Sequence, residues 1–320
     1  MNTTPITVVV VNYNTREATL ACLRSLGTEL EPGDRVVVVD NGSDDGSADA
    51  FRAEFPDAVV VDAGENLGFA RGVNAGVAAT TGGGPDLVML LNPDTLVLPG
   101  SVAAFRGFAA DHPEYRLYGG RTLRPDGSTD PSSCWGEMTG WSLFCFATGL
   151  SSVARGSTLF DPESLGRWGR DTAREVPIVT GCLLLISRAD WTALGGMDER
   201  FFLYGEDADF SIRARRSGLR PVIVPDAVIV HEVGGSTASS GRKMAMVLAG
   251  KVTLLTTHWR PAAARTGRAL LLIGTGLRGT LERLRGRHGL WREAWARRAE
   301  WRDGYPAARQ RIFGIPEAVR

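Results

Sequence analysis

The densest group of reactive side chains is Phe201-Phe202-Leu203-Tyr204-Gly205-Glu206-Asp207-Ala208-Asp209, three carboxylates in four positions behind an aromatic run. Repulsion within such a cluster raises the pKa of at least one carboxylate, which suits a general base. The plainer alternative is an acidic first turn favoured by the helix dipole. Further on, His231 ends an apolar run, where it could supply a nitrogen ligand or serve as a structural histidine. Leu90-Leu91-Asn92-Pro93-Asp94 sets a carboxylate just past a buried run, a place from which it can hold a divalent metal against a diphosphate or simply form a polar strand exit. The run Asn66-Leu67-Gly68-Phe69-Ala70-Arg71-Gly72-Val73-Asn74-Ala75-Gly76 permits close backbone approach and begins a helix whose N-terminus, with Arg71, favours a phosphate or a base carbonyl. Tight helix–sheet packing accounts for Gly72 and Gly76 but not for Arg71 and Asn74. Asn12-Tyr13-Asn14 and Asp40-Asn41-Gly42-Ser43 end two further apolar runs. A carboxylate there can accept hydrogen bonds from a base or ribose edge, and the same residues equally make a turn that Ser47 closes as a helix N-cap.

These groups need elements to hold them. Thr7–Val11, Arg35–Asp40, Ala58–Asp62 and Leu87–Leu91 read as buried strands, separated by helical spacing over 15–26, 47–55 and 69–79 and followed by a helix after Pro99. Strands alternating with helices imply βαβ crossovers and a mostly parallel sheet covered on both faces, in which ligands bind beyond the carboxyl ends of the strands. Residues 111–176 lose the rhythm and, rich in Pro, Gly, Ser and Trp, read as long loops or short edge strands. Order resumes with a strand over 178–187 interrupted at Gly181, helices over 188–194 and 207–217, and two short strands over 221–224 and 227–230. From about Ser239 the chain reads as helical and arginine-rich. The glycine run is not Gly-x-Gly-x-x-Gly and follows the third strand, so the nicotinamide-cofactor fingerprint is absent.

Length and composition set the class. The 320 residues are 43% apolar and 22% charged, enough for a full core and incompatible with disorder as the main state. Thirty-six basic residues balance 36 acidic ones. The balance hides a polarity: residues 241–320 carry 17 Lys/Arg against 5 Asp/Glu, so a basic tail of +12 follows an acidic body of −12. Four scattered cysteines without a Cys-x-x-Cys pair argue against a zinc knuckle or a secreted disulfide scaffold and fit a reducing, cytoplasmic setting. The N-terminus reads as a strand rather than a signal peptide, and no apolar stretch approaches the roughly 18 residues that span a bilayer.

In their order, Val10-Val11-Asn12-Tyr13-Asn14, Asp40-Asn41-Gly42-Ser43, Asn66-Leu67-Gly68-Phe69, Asn92-Pro93-Asp94, Gly181-Cys182, Gly195-Gly196-Met197-Asp198-Glu199, Tyr204–Asp209 and His231 resemble the family 2 glycosyltransferases, most closely the bacterial rhamnosyltransferase-like branch. The resemblance implies the α/β GT-A (nucleotide-diphospho-sugar transferase) fold with a mostly parallel central sheet. It sets a catalytic domain over 1–236, with a nucleotide-sugar half over about 1–110 and an acceptor-side half over about 111–236, and a basic helical extension over 237–320. It implies an inverting transfer from a nucleoside-diphosphate sugar to an acceptor hydroxyl. Asn12, Asn14, Asp40, Asn41, Asn66, Gly68, Arg71, Asn74, Asn92 and Asp94 would hold the nucleotide sugar. Asp94 with His231 would bind Mg²⁺ or Mn²⁺, Asp207 would act as base assisted by Glu206, and Gly181 and Asp209 would lie on the acceptor side. The metal motif is commonly Asp-x-Asp; Asn92 in the first position weakens metal affinity. Asn-Pro-Asp is also found in the rhamnosyltransferase-like branch, which tilts the dTDP- or UDP-linked donor toward dTDP-rhamnose.

The tail from Arg260 to Arg302 alternates arginine with Leu, Ile and Trp, the pattern of an amphipathic helix on an anionic leaflet. That reading suits a peripheral enzyme of cell-wall or polysaccharide synthesis on the inner face of the membrane, with a glycan or polyprenyl-diphosphate-linked acceptor. The alternative is an appendage packed on the body or on a second copy in a homo-oligomer. Nucleic acid is not expected, since no recognition module accompanies the charge. Two rival functions compete with this reading. A sugar-1-phosphate nucleotidyltransferase needs a Gly-rich basic loop after the first strand, and Asn12–Arg16 is a poor substitute. A non-catalytic nucleotide-sugar-binding or glycan-binding relative has no need of an intact Glu206-Asp207 and Asp94.

Overall fold

A computed structural model describes residues 4–80, 86–231 and 241–315. The Glu232–Ser236 stretch after His231, and the start of the tail before Gly241, lie outside the described residues. In chain order the elements are β1 (Ile6–Asn12), α1 (Arg16–Gly27), β2 (Arg35–Asp40), α2 (Ser47–Glu54), β3 (Val59–Asp62), α3 (Phe69–Ala78), β4 (Leu87–Leu91), β5 (Thr95–Val97), α4 (Ser101–Asp111) and β6 (Arg116–Leu123). There follow β7 (Cys134–Trp135), α5 (Gly140–Thr148), α6 (Leu150–Val153), β8 (Arg174–Glu175), β9 (Ile178–Val179), β10 (Leu183–Ser187), α7 (Arg188–Ala193), α8 (Glu206–Arg216) and β11 (Arg220–His231). The tail forms α9 (Gly241–His258), α10 (Pro261–Leu284), α11 (Leu290–Ala296), α12 (Arg298–Trp301) and α13 (Ala307–Phe313).

The chain divides into two compact units. The first comprises Met1–Trp135, Gly169–Asp198 and Phe210–Ser236, and holds a sheet in the order β3-β2-β1-β4-β10-β6-β11-β5, with β8 on β11. The β3-β2, β2-β1, β1-β4 and β6-β11 pairs are parallel, and β10 runs antiparallel between β4 and β6. Because β1 is buried on both sides, it reads as an unbroken apolar run. Val8 and Val10 join the core with Leu20 and Leu23 of α1, whereas Val9 and Val11 press on Gly76 and Gly72 of α3. Strand order reverses between β1 and β4, so the crevice of a doubly wound sheet opens at the carboxyl ends of β1, β2 and β4.

Several elements differ from the sequence expectation: the 111–176 stretch also holds the helices α5 and α6, and the strand over 178–187 is split into β9, which pairs with β7, and β10, which joins the main sheet. β6 lies within the irregular 111–176 stretch yet is an interior strand, paired on both sides. Its Gly119 and Gly120 disguise it, and neighbours require them. A Cβ at Gly119 would meet Val179 Cγ1 at 2.5 Å, and one at Gly120 would meet Leu183 Cδ2 at 2.1 Å. The two short strands over 221–230 are one, β11, which absorbs Pro225-Asp226 as an irregularity between Val224 and Val228.

The second unit comprises Gly136–Trp168, Glu199–Asp209 and Thr237–Arg320, and the described part is mostly helical. The tail's tryptophans turn inward. Trp301 is fully buried with its Nε1 donating to Ala294 O (2.9 Å), and Trp295 packs on Gly276 and Gly279 of α10. No described helix is long and apolar enough to cross a membrane.

Candidate functional site

At the carboxyl rim of the first unit, neighbouring strand ends place Asn12 opposite Asp40 and Asp40 opposite Asp62. Asn12 and Asp40 are almost fully buried. Asn12 Nδ2 donates to Asp40 Oδ1 (2.7 Å), as does Ser43 Oγ (2.6 Å), while Ser43 N donates to Asp40 Oδ2 (3.1 Å). Asn12 Oδ1 accepts from Thr15 and Thr19. Asp40 thus organises the β2–α2 turn, and Asn14, whose Oδ1 accepts from Asp44 N, closes it from the other side. Asn41 Nδ2 donates to Gly68 O (3.0 Å), whereas its buried Oδ1 has no protein partner, an acceptor left open beside the rim. Asn66 Oδ1 accepts from Gly68 N and shapes the entry to α3, on whose first turn Arg71 sits half-buried. Asn74 faces elsewhere: its amide donates to Met197 O and accepts from Met197 N, both at 2.9 Å, and so ties α3 to the Gly195–Met197 turn.

Past β4, Asn92 Nδ2 donates to Cys182 Sγ (3.3 Å), and Gly181 leaves room for the Phe69 ring, 3.0 Å from where a Cβ would be. Asp94 Oδ1 lies 3.3 Å from His231 Nε2, both side chains 16% exposed. On the other edge of the imidazole, Asp130 Oδ2 lies 3.6 Å from a buried Nδ1 that has no hydrogen-bond partner. Burial alone lowers the His231 pKa, but the carboxylates of Asp130 and Asp94 outweigh it and push it up to about 9. Burial raises Asp130 and is overcome by His231 and Ser132, which bring it down to about 2. Asp130 did not stand out in the sequence, where it follows Pro125-Asp126-Gly127 and looks like hairpin chemistry.

The Asp94–His231 pair fits a divalent cation. Two ligands at right angles on bonds of about 2.1 Å are separated by about 3 Å, close to the observed 3.3 Å. Among the described residues no cluster of three or more His, Cys, Asp or Glu side chains suits a metal. Asp94 and His231 would be the two protein ligands of such a cation. His231 must lose its proton to ligate.

In the second unit the Glu206–Asp209 carboxylates occupy three different environments. Tyr204 and Gly205 enter α8 with φ of 68° and 102°, a left-handed conformation that a tyrosine adopts only under constraint. The constraint is Gly250 of α9, where a Cβ would fall 2.1 Å from Tyr204 O. Glu206 is 5% exposed and its Oε2 has no hydrogen-bond partner. Burial first, then the Asp207 charge, pushes its pKa up to about 8. Asp209 is fully buried with Oδ1 2.8 Å from His258 Nε2. Asp207 alone of the three is partly exposed, with its Oδ1 accepting from Ala208 N (2.7 Å). Tyr305 donates its hydroxyl to Leu203 O (2.7 Å) below this turn, and burial followed by the Glu206 charge raises its pKa. His258 and Tyr305 carried no sequence signal, since nothing local links them to Asp209 and Leu203.

Residues 4–249 match the family described as glycosyltransferase like family 2. The chain is 30% identical over 313 residues to an N-acetylglucosaminyl-diphospho-decaprenol L-rhamnosyltransferase of Mycobacterium tuberculosis, covering 88% of this chain and 95% of the relative. It is 30% identical over 267 residues to an uncharacterized protein of Mycobacterium bovis (80% and 86%). A mannosyltransferase from Pyrobaculum calidifontis in complex with GDP-Man and Mn²⁺ superposes with a TM-score of 0.55 at 20% identity, over 97% of this chain and 88% of that one. TarS of S. aureus, residues 1–349 with UDP, gives 0.51 at 16%, over 83% and 70%. The likeness to these structures establishes the GT-A fold, and the match over most of its length makes this chain a family 2 glycosyltransferase.

Proposed function

We propose that the enzyme transfers a deoxyhexose, L-rhamnose, from a dTDP- or UDP-linked donor to a hydroxyl of a polyprenyl-diphosphate-linked or other glycan acceptor, with inversion, in cell-wall or polysaccharide synthesis. The single observation that carries the mechanism is the division of labour at the start of α8. Glu206 is buried with its pKa pushed up to about 8, so near neutrality it is largely a neutral acid. Asp209 is paired with His258. Asp207 is the partly exposed carboxylate of the three and is the one placed to take a proton from an acceptor. Asp207 removes the acceptor hydroxyl proton as the oxygen bonds to the anomeric carbon. The bond from that carbon to the diphosphate breaks on the opposite face, which inverts the configuration, and the electron pair leaves with the nucleoside diphosphate. Asp94 and His231 would hold a divalent cation, which would supply electrostatic stabilisation of the leaving diphosphate. Asn12, Asp40 and Ser43 hold the rim in shape, while Asn41 Oδ1, Asn14 and Arg71 offer it to the nucleoside.

The rhamnose and lipid-linked acceptor reading draws on the mycobacterial relative, whose name states that acceptor and sugar. The nucleotidyltransferase alternative loses its ground with family membership. The test of the base is Asp207→Asn. Turnover falls by about 10²–10⁴-fold while nucleotide-sugar affinity, read by calorimetry, stays within a factor of two or so. A variant that binds donor and turns over as the native enzyme does overturns the assignment. Thermal shift against dTDP-rhamnose and UDP- and GDP-sugars identifies the donor.

A further inference from the structure

α10 has two unlike faces. Gly267 packs against Leu143, Gly274 against Phe146 and Gly279 against Trp295, which buries one side of the helix in the second unit. On the other side Ile273, Leu277, Leu281 and Leu284 follow at helical spacing and are 51, 50, 50 and 78% exposed. Single exposed leucines are ordinary, but a stripe running about 17 Å along a helix is not. Arg278 fixes where the stripe lies. Its guanidinium sits 4.1 Å over the Phe146 ring, donates to Phe146 O and reaches Ser152 Oγ at 3.0 Å, so the stripe runs past the α5–α6 corner. The next residue at that corner, Val153, is 89% exposed. On α5, Trp141 and Phe144 stack at 5.5 Å and stay more than two-fifths exposed. Trp141 Nε1 donates to Leu159 O (2.6 Å), so the indole carries no unmet donor if it enters an apolar layer.

Along α10 and the turn that follows it the charge is mostly basic. Between Pro261 and Arg292 stand seven arginines and a single carboxylate, Glu282. That carboxylate accepts from Arg292 N (2.8 Å) and is held in the α10–α11 turn. Arg268 pairs with Asp303, and Arg278 is engaged by α5 and α6. Arg265, Arg283, Arg285 and Arg287 are exposed and form no ion pair among the described residues. Three of these bracket Leu284, the most exposed residue of the stripe. An apolar strip edged by long-stemmed cations complements the phosphates and acyl boundary of an anionic leaflet.

We propose that the α10 stripe and the α5–α6 corner form a membrane-seating face. Ile273, Leu277, Leu281, Leu284, Val153 and the Trp141–Phe144 pair enter the acyl boundary, and Arg283, Arg285 and Arg287 rest on the headgroup phosphates. The Gly136–Trp168 segment of the second unit thereby supplies part of the anchor. The proposal deepens the lipid-linked acceptor reading and rests on it for its purpose, but binding is measured with no substrate present.

The test uses the full chain with vesicles of phosphatidylglycerol and phosphatidylcholine, or phosphatidylcholine alone. The native protein sediments with the anionic vesicles at least tenfold more strongly, and brominated acyl chains quench its fluorescence less after Trp141→Phe. Leu277→Gln/Leu281→Gln/Leu284→Gln and Arg283→Ser/Arg285→Ser/Arg287→Ser each reduce partitioning at least tenfold with melting temperature and nucleotide-sugar binding unchanged. The arginine set keeps the test decisive if the leucine set misfolds. Native-like vesicle binding by a folded leucine or arginine variant overturns the proposal. So does a native dimer that ignores vesicles and that the leucine set converts to monomer, for then a second copy covers the face. A protein that binds vesicles but no nucleotide sugar refutes the functional reading and leaves this one standing.

Discussion

Burial sets Glu206 apart from its partly exposed neighbour Asp207, the proposed base. With Glu206 held near 8 against an ordinary value near 4.5, the sign of its effect on stability is fixed. Below the ordinary value both folded and unfolded chains are protonated and nothing is lost. Between the two values the unfolded chain ionises and the folded chain does not, so stability falls as pH rises, and the loss is complete above the folded value. Glu206→Gln removes the dependence: its advantage over the native chain is small at pH 5 and grows by about 3–4 kcal/mol by pH 8, read by calorimetry across that range. A variant whose advantage shrinks as pH rises contradicts the buried-acid assignment. At this scale the sequence announced the three carboxylates and His231 but not their circumstances. The Asp130 and His258 partners come from segments far away along the chain, and an aspartate after a Pro-Asp-Gly turn or a histidine at a helix end has no local mark of its role.

Elements explain why the α8 turn holds its shape. Gly250 lets α9 approach the Tyr204 carbonyl so closely that any side chain there displaces the turn. Gly250→Ala is expected to cost about 1–3 kcal/mol by overpacking, measured by denaturant unfolding, and to lower turnover at least tenfold by moving Glu206 and Asp207. A fully active and stable Gly250→Ala refutes the constraint. The strands β1 to β4 and helices α1 to α3 were legible because hydrophobic period and turn residues are local signals, and their bounds fall within a residue or two of expectation. β6 was not legible, because its identity comes from β10 and β11 on either side and its paired glycines read as loop. The tail's tryptophans misled for a similar reason: amphipathic spacing marks two faces but not which of them meets protein.

For the molecule as a whole, folding and ligand binding share one equilibrium. Mn²⁺ with UDP or dTDP at a hundredfold their dissociation constant stabilises the native state by about 2.7 kcal/mol. The melting temperature therefore rises with both together, and a chelator or His231→Ala removes the metal-dependent part. Equal shifts with and without Mn²⁺ in the native enzyme speak against the Asp94–His231 metal pair. Charge polarity between body and tail was plain from residue counts. The interleaving of Gly136–Trp168, Glu199–Asp209 and Thr237–Arg320 in one unit was not, since it depends on contacts between distant segments. That interleaving orders events during synthesis. The sheet is complete once β11 has been made, but Gly250, His258 and Tyr305, which brace the Glu206–Asp207 turn, leave the ribosome later. A nascent chain therefore owns its strand-end rim before the Glu206–Asp207 turn, which carries the proposed base, has the helices that brace it.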